Sequence, residues 1–306
     1  PDNAVEYFVS YYDYYQPEAY VPTRDLYIEK DADINEEIER HRLSATRSLM
    51  ERRDVIIVAT VSCIYGLATP EVYRELKITV PLGSELDPEA LKRNLVSLQY
   101  ERNDAILDRG RFRHRGDILE IYPPYAKEAY RIELDYDRVE QIRRFDPVSG
   151  GILEELDAAV IYPAKQFVMP ESMIQNALSG IKEELASRYE YFLGSNKLVE
   201  AQRLKTRVEY DIELLEEMGY CPGIENYSAP LSGRKPGSRP SVLLDYFPED
   251  FITFIDESHV SLPQIGAMYS GDRSRKQTLV DYGFRLPCAL DNRPLKFEEF
   301  EAMTKR

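Results

Sequence analysis

Apolar and polar residues follow different rhythms along the chain, and each rhythm predicts a different kind of element. The β-branched run at 54–60 is apolar throughout, which is typical of a parallel strand covered on both faces. Short runs within 77–164 alternate strictly instead, and a period of two predicts half-exposed antiparallel strands. The clearest alternating runs are Arg111–Arg115, Ile118–Tyr122 and residues 130–134.

Helical spacing dominates the second half of the chain. Apolar residues within 171–218 recur every three or four positions, and Gly219 closes the run as a C′ glycine would. A polar helix is predicted at 35–53. A Pro- and Gly-rich loop at 229–240 then precedes a second apolar strand, predicted at 251–255.

That second strand runs into an acidic motif. Ligands of an open parallel sheet collect where its strands end. There Asp256 could hold Mg²⁺ through its water shell, Glu257 could activate the water that attacks a γ-phosphate, and His259 could face the nucleotide. The alternative is an ordinary strand followed by an exposed acidic turn.

A phosphate-binding loop should accompany such a motif, yet the sequence contains no G-x-x-x-x-G-K-[ST] match. In helicase-type ATPases this loop precedes the acidic motif, so we expect it before Pro1. The chain as given is therefore expected not to hydrolyse ATP. ATP and Mg²⁺ are expected as cofactors of a longer protein only.

Together these features predict an α/β fold: part of a RecA-like P-loop helicase domain with an inserted small α+β domain, a helical subdomain and a protruding β-hairpin. The expected boundaries are 1–76 for the first helicase-like part with the hairpin, 77–165 for the inserted domain, 166–245 for the helical subdomain, and 246–306 for the remaining helicase-like part.

Tyrosines crowd the start of the chain. Adjacent pairs at 11/12 and 14/15 cannot all point inward, because neighbouring side chains on a strand face opposite ways. Prolines 17 and 22 suit a ribbon rather than a sheet interior, and 23–30 alternates as a returning strand. The residues predict a hairpin whose rings stack on DNA bases or line a protein interface, and both readings stay open. The cluster comprises Tyr7, Tyr11, Tyr12, Tyr14, Tyr15, Tyr20 and Tyr27.

The formal net charge of −15 changes this picture, because phosphate neutralisation supplies most non-specific DNA affinity. We expect weak DNA binding by the chain alone and help from a partner or a missing domain. The cysteines, at 63, 221 and 288, are too far apart in sequence to predict a zinc site or a disulfide framework. With no membrane-length apolar run and no secretory signal, a cytoplasmic location is expected.

Several strings resemble the UvrB family, the damage-recognition subunit of the bacterial excinuclease. They keep the family's order and cover almost the whole chain. The matching strings are 7–22 (YFVSYYDYYQPEAYVP), 61–66 (VSCIYG), 223–228 (GIENYS), 244–248 (LDYFP), 256–259 (DESH) and 290–294 (LDNRP).

The resemblance implies a function in nucleotide excision repair: one DNA strand is clamped behind the hairpin after UvrA loads the protein, and UvrC then cuts. Tyr11 and Tyr12 would lie at the hairpin base, and Tyr14 and Tyr15 against bases around the lesion. Residues nearer the tip would complete the DNA-binding set. These are Glu18, Tyr20, Tyr27 and Lys30.

Residues 77–165 resemble the UvrA-binding domain of the family. Arg113 and Arg115 lie two apart on a predicted strand and so share one face, which suits docking but is also what a solvated face looks like. The family's interface positions fall on Arg102, Arg113, Arg115, Arg131 and Glu133.

Two other functions compete with the lesion clamp. One is the UvrB-like module of a transcription–repair coupling factor, a scaffold expected to have a degenerate acidic motif and no tyrosine hairpin. The other is a processive DEAD/DEAH-type helicase, which needs a second motor domain.

Overall fold

The computed structural model describes residues 3–10 and 12–304, which fall into two compact units. The first unit comprises Pro1–Tyr7, Glu36–Val58 and Pro70–Val168, and the second comprises Phe8–Asn35, Ala59–Thr69 and Met169–Arg306. No helix of the described residues is long and apolar enough to cross a membrane.

The fold mixes helices and strands. The helices are α1 (Glu36–Glu51), α2 (Pro70–Glu75), α3 (Pro88–Ser97), α4 (Glu171–Gly194), α5 (Leu198–Met218), α6 (Ser228–Leu231), α7 (Ser258–Asp281) and α8 (Phe297–Thr304). The strands are β1 (Ala4–Phe8), β2 (Tyr12–Gln16), β3 (Ala19–Val21), β4 (Leu26–Ile28), β5 (Asp31–Ile34), β6 (Val55–Ala59), β7 (Ile78–Pro81), β8 (Glu101–Arg102), β9 (Arg111–Arg115), β10 (Ile118–Tyr122), β11 (Ala129–Asp135), β12 (Arg138–Phe145), β13 (Ile152–Glu155) and β14 (Ala158–Ile161).

A six-stranded sheet organises the first unit. Its order is β13-β12-β11-β10-β9-β8, and all pairs are antiparallel except β8–β9. The alternating runs predicted as strands are β9, β10 and the centre of β11. Their apolar residues form a core with α3, because alternation sends every second side chain to the same face. That core includes Phe112, Leu119, Ile121, Ile132 and Ile142.

The strand predicted at 54–60 is β6, which pairs with β1. Hydrogen bonds join Ala4 to Asp54 and Thr60 to Phe8, so the two strands run parallel. Burial on both faces was a wrong expectation for the described residues, since Ile56 and Val58 are about half exposed. A β-branched run reports strand propensity, whereas burial depends on which elements cover each face.

Two long helices, α4 and α5, pack side by side in the second unit, and α5 ends where Gly219 adopts a left-handed conformation with φ of 66°, as predicted. The strand expected at 251–255 is absent from the described structure. Ile252 and Phe254 are 76% and 91% exposed. A strand needs a neighbour that satisfies its backbone, and none of the described strands pairs with this segment.

Candidate nucleic-acid site

The tyrosine-rich segment forms a hairpin of two successive strand pairs in the second unit. Strand β2 pairs antiparallel with β5, and β3 pairs antiparallel with β4. A 3-10 turn at Pro22–Arg24 reverses the chain, and Asp25 ends it in a left-handed conformation. Pro17 lies between β2 and β3, where no ladder hydrogen bond is needed from its nitrogen.

The middle of β2 presents aromatic rings. Tyr14 and Tyr15 are 53% and 48% exposed, and as neighbours on a strand they face opposite sides of the ribbon. The Tyr14 hydroxyl donates to Gln16 Oε1 at 2.8 Å. Tyr11 lies outside the described residues, as does the side chain of Tyr12. Two rings are therefore about half exposed, and their stacking on DNA bases stays a prediction.

The tip tyrosines contact the protein itself. Tyr20 and Tyr27 are paired across β3 and β4, and both rings lie on Phe284, with centroids 4.8 and 4.6 Å away. Tyr20 also contacts Tyr282 at 4.9 Å and donates its hydroxyl to Asp25 at 2.6 Å. That hydrogen bond raises the pKa of Tyr20.

Glu18 is buried at the corner between β2 and β3. Its carboxylate accepts from Arg285 Nε at 2.9 Å and from the Tyr27 hydroxyl at 2.6 Å. Burial and the Glu18 carboxylate raise the pKa of Tyr27. Lys30, on the returning arm, pairs with Glu225 at 3.1 Å. The side chains at 18, 20, 27 and 30, which were predicted to bind DNA, therefore all contact other side chains of the second unit.

The hairpin therefore does not protrude freely, contrary to expectation. Its far end packs on the segment 282–285, which follows α7. Only the tertiary arrangement decides this, because the Glu18 and Arg285 partners lie 267 positions apart in sequence.

Residues of the 282–285 segment escaped the sequence analysis. A usable signal was present: Tyr282 and Phe284 flank a glycine and precede an arginine, directly after a long helix. Gly283 has φ of 73°, and a Cβ there would collide with the backbone carbonyl of Glu200. Arg203 of α5 lies over the Phe284 ring at 4.0 Å and donates to the Tyr282 carbonyl at 2.8 Å. Glycine at 283 therefore lets the 282–285 segment pack closely on α5.

The acidic motif lies at the start of α7 and is exposed. Asp256 Oδ1 accepts from the Glu257 backbone N–H at 3.0 Å, and His259 Nδ1 lies 3.4 Å from Glu257 Oε2. No group of three metal-ligating side chains is found among the described residues. Carboxylates of this kind suit Mg²⁺, but no glycine-rich phosphate cradle accompanies them, so the nucleotide role of these three residues stays a prediction.

A cluster of three basic residues, Arg273, Arg275 and Lys276, lies on α7. Two of its members are engaged internally: Arg275 and Lys276 both pair with Asp272, at 2.7 and 3.1 Å. Arg273 is the exposed member of the three, and it lines an open groove on α7.

Charged side chains cross the outer face of the six-stranded sheet in register. Glu120 lies opposite Arg113 on one side and opposite Arg131 on the other, and it forms ion pairs with both. Arg115 shares the face and donates to the Asp104 carbonyl at 2.9 Å, while Arg102 pairs with the Asp104 side chain. Burial alone would raise the pKa of Glu120, but the two arginines lower it overall.

Four of the five predicted partner-binding residues thus share this face, on β9 and β11. The fourth, Glu133, pairs with Arg143 at 3.0 Å. The fifth, Arg102, lies on the edge strand β8. Their role in docking stays a prediction.

The described residues define a protein in which an aromatic hairpin closes on a helical support and a separate antiparallel sheet presents a charged face. Residues 78–167 match the UvrB interaction domain, and residues 172–233 match the UvrB third helical domain.

Relatives match nearly the whole chain. The UvrABC system protein B of Treponema denticola is 66% identical over 303 residues, covering 99% of this chain and 46% of that protein. The proteins of the same name from Carboxydothermus hydrogenoformans and Rhodopirellula baltica are 59% and 58% identical, covering 99% of this chain and 46% and 43% of their own lengths. The chain belongs to the UvrB family. It spans a little under half the length of these relatives.

Proposed function

We propose that this chain is the part of an excision-repair protein that grips one strand of damaged DNA behind the tyrosine hairpin. One combination of features carries the proposal. Tyr14 and Tyr15 are about half exposed on the hairpin, while the far end of the same hairpin is held on the second unit by the contact between Glu18 and Arg285. Base–aromatic stacking contributes about 1–3 kcal/mol per base and tolerates any sequence.

Closure of the tip explains how a strand is retained. The ion pairs of Glu18 with Arg285 and of Lys30 with Glu225 must open for a strand to enter, and they re-form behind it. A lesion that weakens the duplex lowers the cost of unstacking, so strand entry is easier at damaged positions. In the open state the tip residues 18, 20, 27 and 30 become available to the strand.

The net charge of −15 supports delivery by a partner rather than electrostatic capture. In this proposal UvrA docks on the charged face that holds Arg113, Arg115, Arg131 and Glu133, with Arg102 at its edge, and UvrC acts on the loaded complex. The name of the relatives, UvrABC system protein B, supports both partners.

Nucleotide chemistry is the remaining part of the proposal. The acidic motif belongs to a RecA-like ATPase only when a phosphate-binding loop completes the site. Asp256 would then carry Mg²⁺ through water, with Glu257 and His259 beside it.

Replacing Tyr14 and Tyr15 together with alanine in the full-length protein tests the clamp. The matched control is Tyr210→Ala, a half-exposed tyrosine on α5 of the same unit. Gel-shift assays of UvrA-delivered complexes on a lesion duplex should lose at least about tenfold in complex half-life for the double variant, because two stacking contacts disappear. Unchanged complexes would refute the clamp.

Docking of UvrA is tested with Arg115→Ala against Arg138→Ala. Both arginines are exposed, and each donates its Nε to a backbone carbonyl within the first unit, at 2.9 and 3.1 Å. Arg115 also donates through Nη2 to the carbonyls of Asp104 and Ala105. Pull-down of UvrA should weaken for the first variant only. Equal retention of both variants contradicts the proposed face.

A further inference from the structure

Helix α7 supports the hairpin from beneath. It runs for 24 residues, a length of about 36 Å, and ends directly before the 282–285 segment. Its buried residues Ile265, Leu279 and Val280 fix it in the second unit. Side chains that project from α7 therefore start from a helix that is packed into the second unit.

One side chain of α7 reaches the hairpin backbone. Arg275 Nη1 donates to the Glu18 carbonyl oxygen at 2.6 Å, while its Nη2 donates to Asp272 Oδ1 at 2.7 Å. Asp272 is itself buried and also pairs with Lys276. The Asp272 carboxylate thus holds the guanidinium in the orientation that meets Glu18.

The Glu18 carbonyl has a particular need for this donor. Residues 17 and 18 lie between β2 and β3 and belong to neither strand pair, so the sheet ladders offer the carbonyl no partner. A buried carbonyl without a donor destabilises the fold. Arg275 satisfies it with a charge-assisted hydrogen bond, the stronger kind.

Two arginines consequently hold the same residue. Arg285 binds the Glu18 carboxylate and Arg275 binds its backbone, which fixes both the position and the orientation of the corner. The corner follows β2 directly, three residues after Tyr15, so its position sets where the two exposed tyrosines lie.

We propose that Arg275 is a positioning residue, which anchors the hairpin corner on α7 and thereby holds Tyr14 and Tyr15 in place for stacking. It acts through Glu18 and needs no contact with DNA. The inference rests on the proposed clamp for its functional consequence, but the anchoring itself is measurable without DNA.

Hydrogen–deuterium exchange of the full-length protein measures the anchoring. Arg275→Ala is compared with Arg273→Ala, the same change two residues earlier on the solvent face of α7. Amides of residues 12–34 should exchange about tenfold faster or more in the Arg275 variant, since one charge-assisted bond is lost. Exchange in α4, α5 and the six-stranded sheet should stay at the wild-type rate. Unchanged hairpin exchange, or faster exchange throughout the protein, overturns the anchor.

The half-life of complexes with a lesion duplex measures the functional consequence of the Arg275 anchor. Arg275→Ala should shorten the half-life of UvrA-delivered complexes, and Arg275→Lys, which keeps one donor, should restore part of it. The Arg275→Ala variant could show faster hairpin exchange and yet a normal complex half-life, while the Tyr14 and Tyr15 double variant shows a shortened one. That result overturns the positioning role of Arg275 but not the clamp. If the tyrosine variant also forms normal complexes, the clamp itself is wrong, whereas the exchange result still decides the anchor.

Discussion

The six-stranded sheet and the tyrosine hairpin are both built mainly from antiparallel strands and both carry many charges, yet different interactions stabilise them. The sheet buries a continuous apolar face, and its charges lie on the opposite face. Within residues 14–31 of the hairpin, Glu18 is the single residue in the buried class, and its side chain is a carboxylate.

The two regions therefore tolerate different kinds of structural change. A sheet with its own core stays folded while its outer charges serve a partner. A ribbon without a core depends on a few directed contacts, and contacts of this kind open locally in proteins at a lower free-energy cost than global unfolding. Stability thus suits the proposed docking face, and reversibility suits the proposed clamp.

The largest expected effect is a loss of folding stability when a core residue of the six-stranded sheet is removed. Phe112→Ala should lower the free energy of unfolding of the first unit by about 3–5 kcal/mol, because a fully buried ring is removed. Urea denaturation measures the loss, and hydrogen exchange in 12–34 should not change. A loosened hairpin in this variant breaks the comparison.

A smaller effect is expected in the hairpin for Glu18→Gln. The substitution keeps the shape but removes the charge that Arg285 binds, which costs about 1.5–3 kcal/mol for a charge-assisted hydrogen bond. Hydrogen exchange should rise in the hairpin only. Glu29→Gln, an exposed carboxylate on the same ribbon, is the control and should behave as wild type.

The charges of the sheet are expected to contribute less, and in a pH-dependent way. The pKa of Glu120 is lower in the folded state than its ordinary value of 4.5, since Arg113 and Arg131 outweigh burial. This stabilisation is present above the ordinary value and is lost as pH falls through the folded pKa. The stability gap between wild type and Glu120→Gln should therefore shrink in acid. A constant gap from pH 7 to pH 3 argues against it, and Glu140→Gln on the exposed side of β12 is the control.

The smallest effect is expected for Lys30→Ala. Its pair with Glu225 is more than a third exposed on both sides, so the loss should be about 0.2–1 kcal/mol and should fade in high salt. Hydrogen exchange of the hairpin at low and high ionic strength measures it. A large, salt-independent loss would show that Lys30 has a further structural role.

Sequence reasoning succeeded where a local pattern decides the structure. Alternation located β9 and β10, and the glycine at 219 ended α5 as expected. The hairpin followed from crowded tyrosines and two prolines, because side-chain alternation and the missing proline N–H act on neighbouring residues. The strand prediction at 251–255 was wrong, because this apolar run has no strand beside it among the described residues.

Local sequence patterns were enough to predict the alternating strands β9 and β10, the helical stretch at 171–218 and the family. Tertiary structure alone decided that Glu18 is buried between Arg275 and Arg285, and that the tip tyrosines rest on Phe284. The physical reason is range. Backbone preferences act over a few residues, whereas partners more than 250 positions apart meet only once the helices have packed.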